Sequence, residues 1–256
     1  YCQGNTTTRC KRKNYILKKV DKIVYKYAYN HIIACSDKAQ ETFLSTYHGI
    51  KHITAVNNGV NTNLNRFAFP YTKRELFGIP ESCFVITMVA RFMFMKRQDT
   101  IVEAISKLPN KFHACLVGSE HTDEGLIKVK KLTENLGVTD RVHFLYIRSD
   151  VPRILKTSDA IVMSSEYEGL SLSSIEGMAA GKPFIATNVD GLREVVSGAG
   201  ELFELYNSDQ LAAILLKMDS DKEYYQKLAN RCSLRASEFD IKVMANKYKQ
   251  IYNELT

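Results

Sequence analysis

Four charged side chains and one glycine-containing turn carry most of the chemistry legible in this chain. Arg91 and Lys96 bracket the stretch Arg91-Phe92-Met93-Phe94-Met95-Lys96. Two cations on one loop can neutralise a diphosphate and stabilise charge as it departs; two isolated surface cations more often pair with nearby carboxylates. Further along, the run from Ser165 to Gly177 puts Glu168 beside Gly169-Leu170-Ser171 and Glu176 eight positions after Glu168. A carboxylate can accept hydrogen bonds from two adjacent hydroxyls, so one could hold a hexose and the other a ribose. The plainer reading has Glu168 complementing a helix dipole and Glu176 solvated, and the residues alone leave the two readings even. Serines leading into a helix there would aim free backbone N–H groups at an anion. A third polar segment runs from Ala186 to Glu194, and Glu194 reads best as a helix cap. Asp219-Ser220-Asp221 also reads as a cap, so no metal site is expected.

These residues need elements to hold them. Residues 14–29 carry apolar side chains at helical spacing. His31–Cys35 and Ile53–Val56 read as short strands around a helix that Ser36-Asp37 caps. After a polar, turn-rich stretch the pattern alternates. Strands are expected at Cys83–Ala90, Phe112–Val117, Val142–Leu145, Ala160–Ser164, Pro183–Ala186 and Glu201–Phe203, with helices between them and three helices at the end. Such alternation implies an α/β fold with a doubly wound parallel sheet. In such sheets ligands sit beyond the carboxyl ends of the strands, where all three polar segments fall. The expected organisation is a remnant of another α/β domain at 1–62, a linker at 63–80, a Rossmann-like domain at 81–238, and a final helix at 239–256. That helix carries an apolar stripe over Ile241–Leu255.

Composition narrows the class. The 256 residues are 45% hydrophobic and carry a net charge of +7. Residues 1–30 hold eight basic side chains (Arg9, Lys11, Arg12, Lys13, Lys18, Lys19, Lys22 and Lys26) against Asp21, which accounts for the whole excess. A solvated helix face is the ordinary explanation, and an anionic membrane surface or phosphorylated acceptor the functional one. No zinc-finger, RRM or helix-turn-helix signature accompanies the charge, so nucleic acid is not an expected partner. The six cysteines are scattered without a C-x-x-C pair, which fits reduced thiols in a cytoplasmic protein. No leader is recognisable, and the longest apolar run, Cys83–Met95, is too short to span a bilayer. No G-x-G-x-x-G follows a strand, which disfavours a nicotinamide-dependent dehydrogenase.

Taken together and in order, "HIIACS", "NNGVN", "ARFMFMK", "DRVHFLY" and "SDAIVMSSEYEGLSLSSIEGMAAGKPFIATNVDGLREVV" resemble the family 4 retaining glycosyltransferases of two-Rossmann-domain (GT-B) architecture. The resemblance runs from about His31 to the C-terminus. It implies that Arg91 and Lys96 bind the donor diphosphate, that Glu168 contacts the transferred sugar, and that Glu176 holds the ribose. Gly169, Leu170 and Ser171 match the turn whose backbone approaches sugar and phosphate, and Tyr146 and Ile147 lie where backbone meets the base. It further implies a hexose moved from a nucleoside diphosphate sugar to a glycan or lipid-linked acceptor, with no cofactor or metal, by a cytoplasmic enzyme; the basic first segment adds the expectation of peripheral contact with the inner face of a membrane. Three positions depart from the family pattern: Gly118-Ser119-Glu120 replaces Gly-x-Gly, Asp190 stands where a glycine is common, and Asn61 replaces an aspartate. The family's early glycine-rich loop has no counterpart, so on the order of a hundred residues are expected ahead of Tyr1. The final helix is expected to pack back toward the first domain. A non-catalytic nucleotide-sugar-binding fragment and a sugar-nucleotide epimerase remain the alternatives.

Overall fold

The computed structural model describes residues 17, 20–119 and 123–255. Arg9, Lys11, Arg12, Lys13, Lys18, Lys19, Cys2, Cys10, Glu120 and the opening of the helix expected at 14–29 lie outside the described residues. Residues 20–27 are helical. The chain divides into two compact units, one of residues 1–57 with 245–256, the other of residues 58–244.

In the smaller unit, β1 (Ile32–Ala34) pairs in parallel with β2 (Ile53–Ala55), and α1 (Asp37–Thr46) joins them. Ser36 caps α1, accepting from the Ala39 N–H at 3.0 Å. Tyr25 packs edge-on against Phe43 and Tyr47 (centroids 4.9 and 5.0 Å apart), fixing the helix at 20–27 against α1.

The larger unit opens with α2 (Thr62–Arg66) and α3 (Lys73–Phe77). The segment read as a linker therefore carries two short helices and belongs to this unit. The reason is local: Thr72 accepts from the Glu75 N–H, the Glu75 carboxylate accepts from the Thr72 N–H, and Gly78 closes α3 in the left-handed region at φ 72°. That reciprocal cap stabilises a helix that hydrophobic periodicity does not announce.

Six parallel strands follow: β3 (Phe84–Val89), β4 (Phe112–Val117), β5 (Val142–Tyr146), β6 (Ala160–Met163), β7 (Phe184–Thr187) and β8 (Glu201–Phe203), in spatial order β5-β4-β3-β6-β7-β8. The intervening helices are α4 (Gln98–Ser106), α5 (Asp123–Asn135), α6 (Val151–Thr157), α7 (Leu172–Ala179) and α8 (Asp190–Val196); α9 (Ser208–Ser220), α10 (Lys222–Ser237) and α11 (Ile241–Leu255) close the chain. The apolar runs of β3 and β4 are explained by two-sided burial. Phe84, Ile86 and Met88 enter the main core while Val85 joins Cys115, Val117 and Ile154 on the other face. Only a sheet covered on both faces needs continuous rather than alternating apolar residues. The strand order reverses between β3 and β6. That switch point opens a crevice at the strands' carboxyl ends.

Candidate functional site

The loops leaving β3 and β6 lie side by side at this switch point, and sequence places Arg91 and Lys96 on one and Glu168 on the other. The β3 loop is held by its apolar members. Phe92 is buried and its N–H donates to the Ser119 carbonyl at 2.9 Å. A turn of 3-10 helix over Phe94–Lys96 then delivers Lys96 to the crevice. The Ser164 hydroxyl donates to the Lys96 and Arg97 carbonyls at 3.0 and 2.8 Å, and the Glu166 N–H donates to the Met95 carbonyl at 2.8 Å. The two loops are thus tied through their backbones.

Lys96 Nζ lies 2.5 Å from Glu168 Oε1, with the side chains only 16% and 13% exposed. The Ser165 hydroxyl donates to the same oxygen at 2.8 Å. Lys96 therefore pairs with the second candidate residue, and not with a bystander carboxylate. Arg91 is exposed and makes no ion pair among the described residues; its carbonyl accepts from Gln98 Nε2 at 2.9 Å. Arg91, Lys96, Glu168, Leu170 and Ser171 line one cavity of about 260 Å³ with Ala90 and Ser173. Ser171 caps α7, its hydroxyl accepting from the Ser174 N–H at 3.3 Å, so the helix start opens on that cavity.

Gly169, Glu176, Tyr146 and Ile147 are not among the residues lining it. Glu176 sits within α7, half-buried, and burial raises its carboxyl above the usual range. No hydrogen bond or ion pair to its carboxylate is seen among the described residues. Tyr146 ends β5 with a left-handed backbone, φ 44°, unusual for a tyrosine and the mark of a constrained turn. Its carbonyl accepts from the Gly118 N–H at 2.8 Å, and Ile147 beyond it is 78% exposed.

Two glycines make the close approaches possible. A Cβ on Gly191, in α8, would lie 2.1 Å from both the Glu168 and Gly169 carbonyl oxygens. A Cβ on Gly118 would lie 2.0 Å from the Ala90 carbonyl oxygen. Asp190, where the family pattern often has glycine, is tolerated in the first turn of α8 and pairs with Arg193 at 3.0 Å. Several contributors were not legible beforehand. Ser165, Arg97 and Glu166 are polar residues of a kind found on any loop, and only folding brings them together. The Asp219-Ser220-Asp221 carboxylates are engaged elsewhere: Asp221 caps α10, accepting from the Tyr224 N–H at 2.9 Å, and Asp219 pairs with Lys111 at 2.6 Å. Among the described residues no group of three or more His, Cys, Asp or Glu could hold a metal ion.

Fold and site together define a Rossmann-like domain whose crevice brings cations, a helix start and a carboxylate into one cavity. The chain belongs to the glycosyl transferases group 1 family, whose model matches residues 72–235, and its sheet is that of a GT-B glycosyltransferase domain. It is 28% identical over 194 residues to the N-acetyl-alpha-D-glucosaminyl L-malate synthase of Bacillus anthracis, covering 72% of this chain and 51% of that protein. It is 25% identical over 250 residues to the N,N'-diacetylbacillosaminyl-diphospho-undecaprenol alpha-1,3-N-acetylgalactosaminyltransferase of Campylobacter jejuni, covering 94% and 64%. The crystal structure of Anabaena Alr3699/HepE in complex with UDP superposes with a TM-score of 0.84 at 22% identity, over 93% of this chain and 67% of that one. The chain thus spans about half to two thirds of the length of these relatives.

Proposed function

We propose that this chain is the donor-binding part of a retaining hexosyltransferase, which moves a hexose from a nucleoside diphosphate sugar to a glycan or lipid-linked acceptor. The observation that carries this reading is the shared cavity of Arg91, Lys96, Glu168 and the start of α7 at the switch point. The bond between the anomeric carbon and the departing diphosphate breaks as the bond to the acceptor oxygen forms, the acceptor hydroxyl's proton passes to the departing diphosphate oxygen, and the sugar gains oxocarbenium character in between. Negative charge then grows on the diphosphate, where Arg91, Lys96 and the N–H groups opening α7 stabilise it most. With protein cations in that place, the reaction needs no metal. Glu168 holds the transferred sugar once Lys96 turns to the diphosphate. Glu176, whose half-buried carboxylate has no partner among the described residues, takes the ribose hydroxyls, and the backbone at Tyr146 and Ile147 meets the base. The UDP in the Anabaena neighbour and the diphospho-undecaprenol in the Campylobacter relative's name favour a uridine donor and a lipid-linked acceptor. Among the described residues no helix is long and apolar enough to cross a membrane. The basic first thirty residues suit peripheral contact with an anionic inner leaflet.

Calorimetry of the full-length protein with a panel of uridine, guanosine and adenosine diphosphate sugars tests the reading, followed by a product assay with lipid-diphosphate acceptors. Tight binding of one donor and a product of unchanged anomeric configuration is expected. Failure to bind any nucleotide or nucleotide sugar would sink it, and an epimerised donor in the absence of acceptor would redirect it.

A further inference from the structure

We propose that Arg97 is a positioning residue whose guanidinium clamps the loop bearing Lys96 to the loop bearing Glu168, so that both groups meet the donor in fixed register. This rests on the donor site proposed above. Arg97 follows Lys96 directly, and its side chain is only 15% exposed. One Nη lies 2.7 Å from the Asp99 carboxylate on its own segment. The other lies 3.5 Å from Glu166, two residues before Glu168. The guanidinium also sits near two rings, 5.0 Å from the Phe94 centroid and 4.6 Å from that of Tyr206. The Tyr206 hydroxyl donates to the same Glu166 oxygen at 2.7 Å, which brings the segment after β8 into the clamp.

Two costs show that this arrangement is imposed. Arg97 has a left-handed backbone, φ 52° and ψ 42°, which a non-glycine residue adopts only against steric resistance from its Cβ. Its Nε is buried with no partner among the described residues. A glycine would adopt that backbone without strain. Such costs persist where surrounding contacts over-determine a residue, typically at functional sites. An ordinary surface ion pair with Asp99 would need neither the burial, nor the second carboxylate, nor the flanking rings. A lysine is no substitute, because a point charge on a flexible stem cannot bridge two carboxylates while stacking on aromatic faces.

The test compares wild type, Arg97→Gly and Arg97→Lys in the full-length protein. It reads thermal stability, UDP affinity by calorimetry, and amide hydrogen exchange across residues 93–97 and 165–169. Arg97→Gly relieves the backbone strain, so its Tm should hold or rise. Its UDP affinity should still fall on the order of tenfold through misplacement of Lys96, with faster exchange in both loops. Arg97→Lys should recover only part of the affinity. Wild-type affinity and exchange in Arg97→Gly would overturn the proposal. So would affinity losses that merely track falling Tm in both variants, because Arg97 would then serve the fold alone. If wild type binds no UDP, the proposed donor fails, and exchange in the two loops still decides the clamp.

Discussion

At the residue scale, Lys96 and Glu168 neutralise each other, and in the proposed reaction a diphosphate competes for the lysine. Lys96→Ala removes the less exposed of the two cations to which the proposed mechanism assigns the departing charge. Turnover should fall about a hundred- to a thousandfold, as when a preorganised donor to a developing anion is deleted; steady-state kinetics with saturating donor checks it, and near-normal kcat would remove Lys96 from the mechanism. Gly191 is a different kind of requirement. With Cβ 2.1 Å from two carbonyl oxygens, Gly191→Ala must displace either α8 or the turn at Glu168. A loss of about 1–3 kcal/mol, the usual cost of overpacking, should appear in urea unfolding together with weaker donor binding. Gly169→Ala meets nothing within 4 Å and should leave the unfolding midpoint in place. Arg91, Lys96 and Glu168 were legible in the sequence because their charges flank turns at predicted strand ends. Ser165 and Arg97 were not: Ser165 matters through one local hydrogen bond to Glu168 that any loop serine could make, and Arg97 through contact with Glu166, far along the chain, and a backbone conformation that composition does not reveal.

At the scale of elements, the central strands were readable because burial on both faces writes itself as an apolar run. The edge strands, expected at Val142–Leu145 and Glu201–Phe203, also fall within a residue of β5 and β8, but what their side chains touch was not readable. β5 is an edge strand with a mixed pattern, and its His143 stacks on His113 of β4, ring nitrogens 3.2 Å apart and centroids at 5.3 Å. Burial and the neighbouring His113 lower His143 to about 4, and burial with Arg141 also lowers His113; Asp140 opposes both shifts and Lys73 adds to that on His113. Both rings are therefore neutral in the fold and take up protons near pH 6.5 once unfolded. Between about 6.5 and 4 the unfolded state binds more protons, so stability is full above 6.5 and falls as pH drops through that window. Urea midpoints at pH 7 and pH 5 should show the fall, and His143→Gln should flatten it. An equal slope in that variant would put the effect on other groups. No sequence pattern announced this pair: two histidines thirty residues apart acquire meaning only from the β4–β5 register, in which Cys115 faces His143.

At the scale of the molecule, the larger unit is closed on itself. Its entry and exit are stitched together: the Val60 N–H donates to the Phe239 carbonyl at 3.0 Å, and the Ile241 N–H to the Val60 carbonyl at 2.8 Å. Asp240 accepts from both the N–H and the hydroxyl of Thr62. A Cβ on Gly59 would lie 3.0 Å from the backbone of Phe239–Ile241, so the strands of this stitch are in close contact. Sequence suggested a boundary near residue 62 from turn residues, yet the stitch pairs positions nearly 180 apart and leaves no local trace. All nine candidate site residues, from Arg91 to Glu176, fall inside residues 58–244, as do the six-stranded sheet and both faces of its core. A piece cut at 58 and 244 keeps the stitch and lies within the size range of self-folding domains. It should melt cooperatively and bind UDP with the affinity of the whole protein. A fragment that folds but fails to bind would mean the donor site needs groups outside this unit. One that does not fold would mean the stitch and the core are insufficient without residues 1–57 and 245–256.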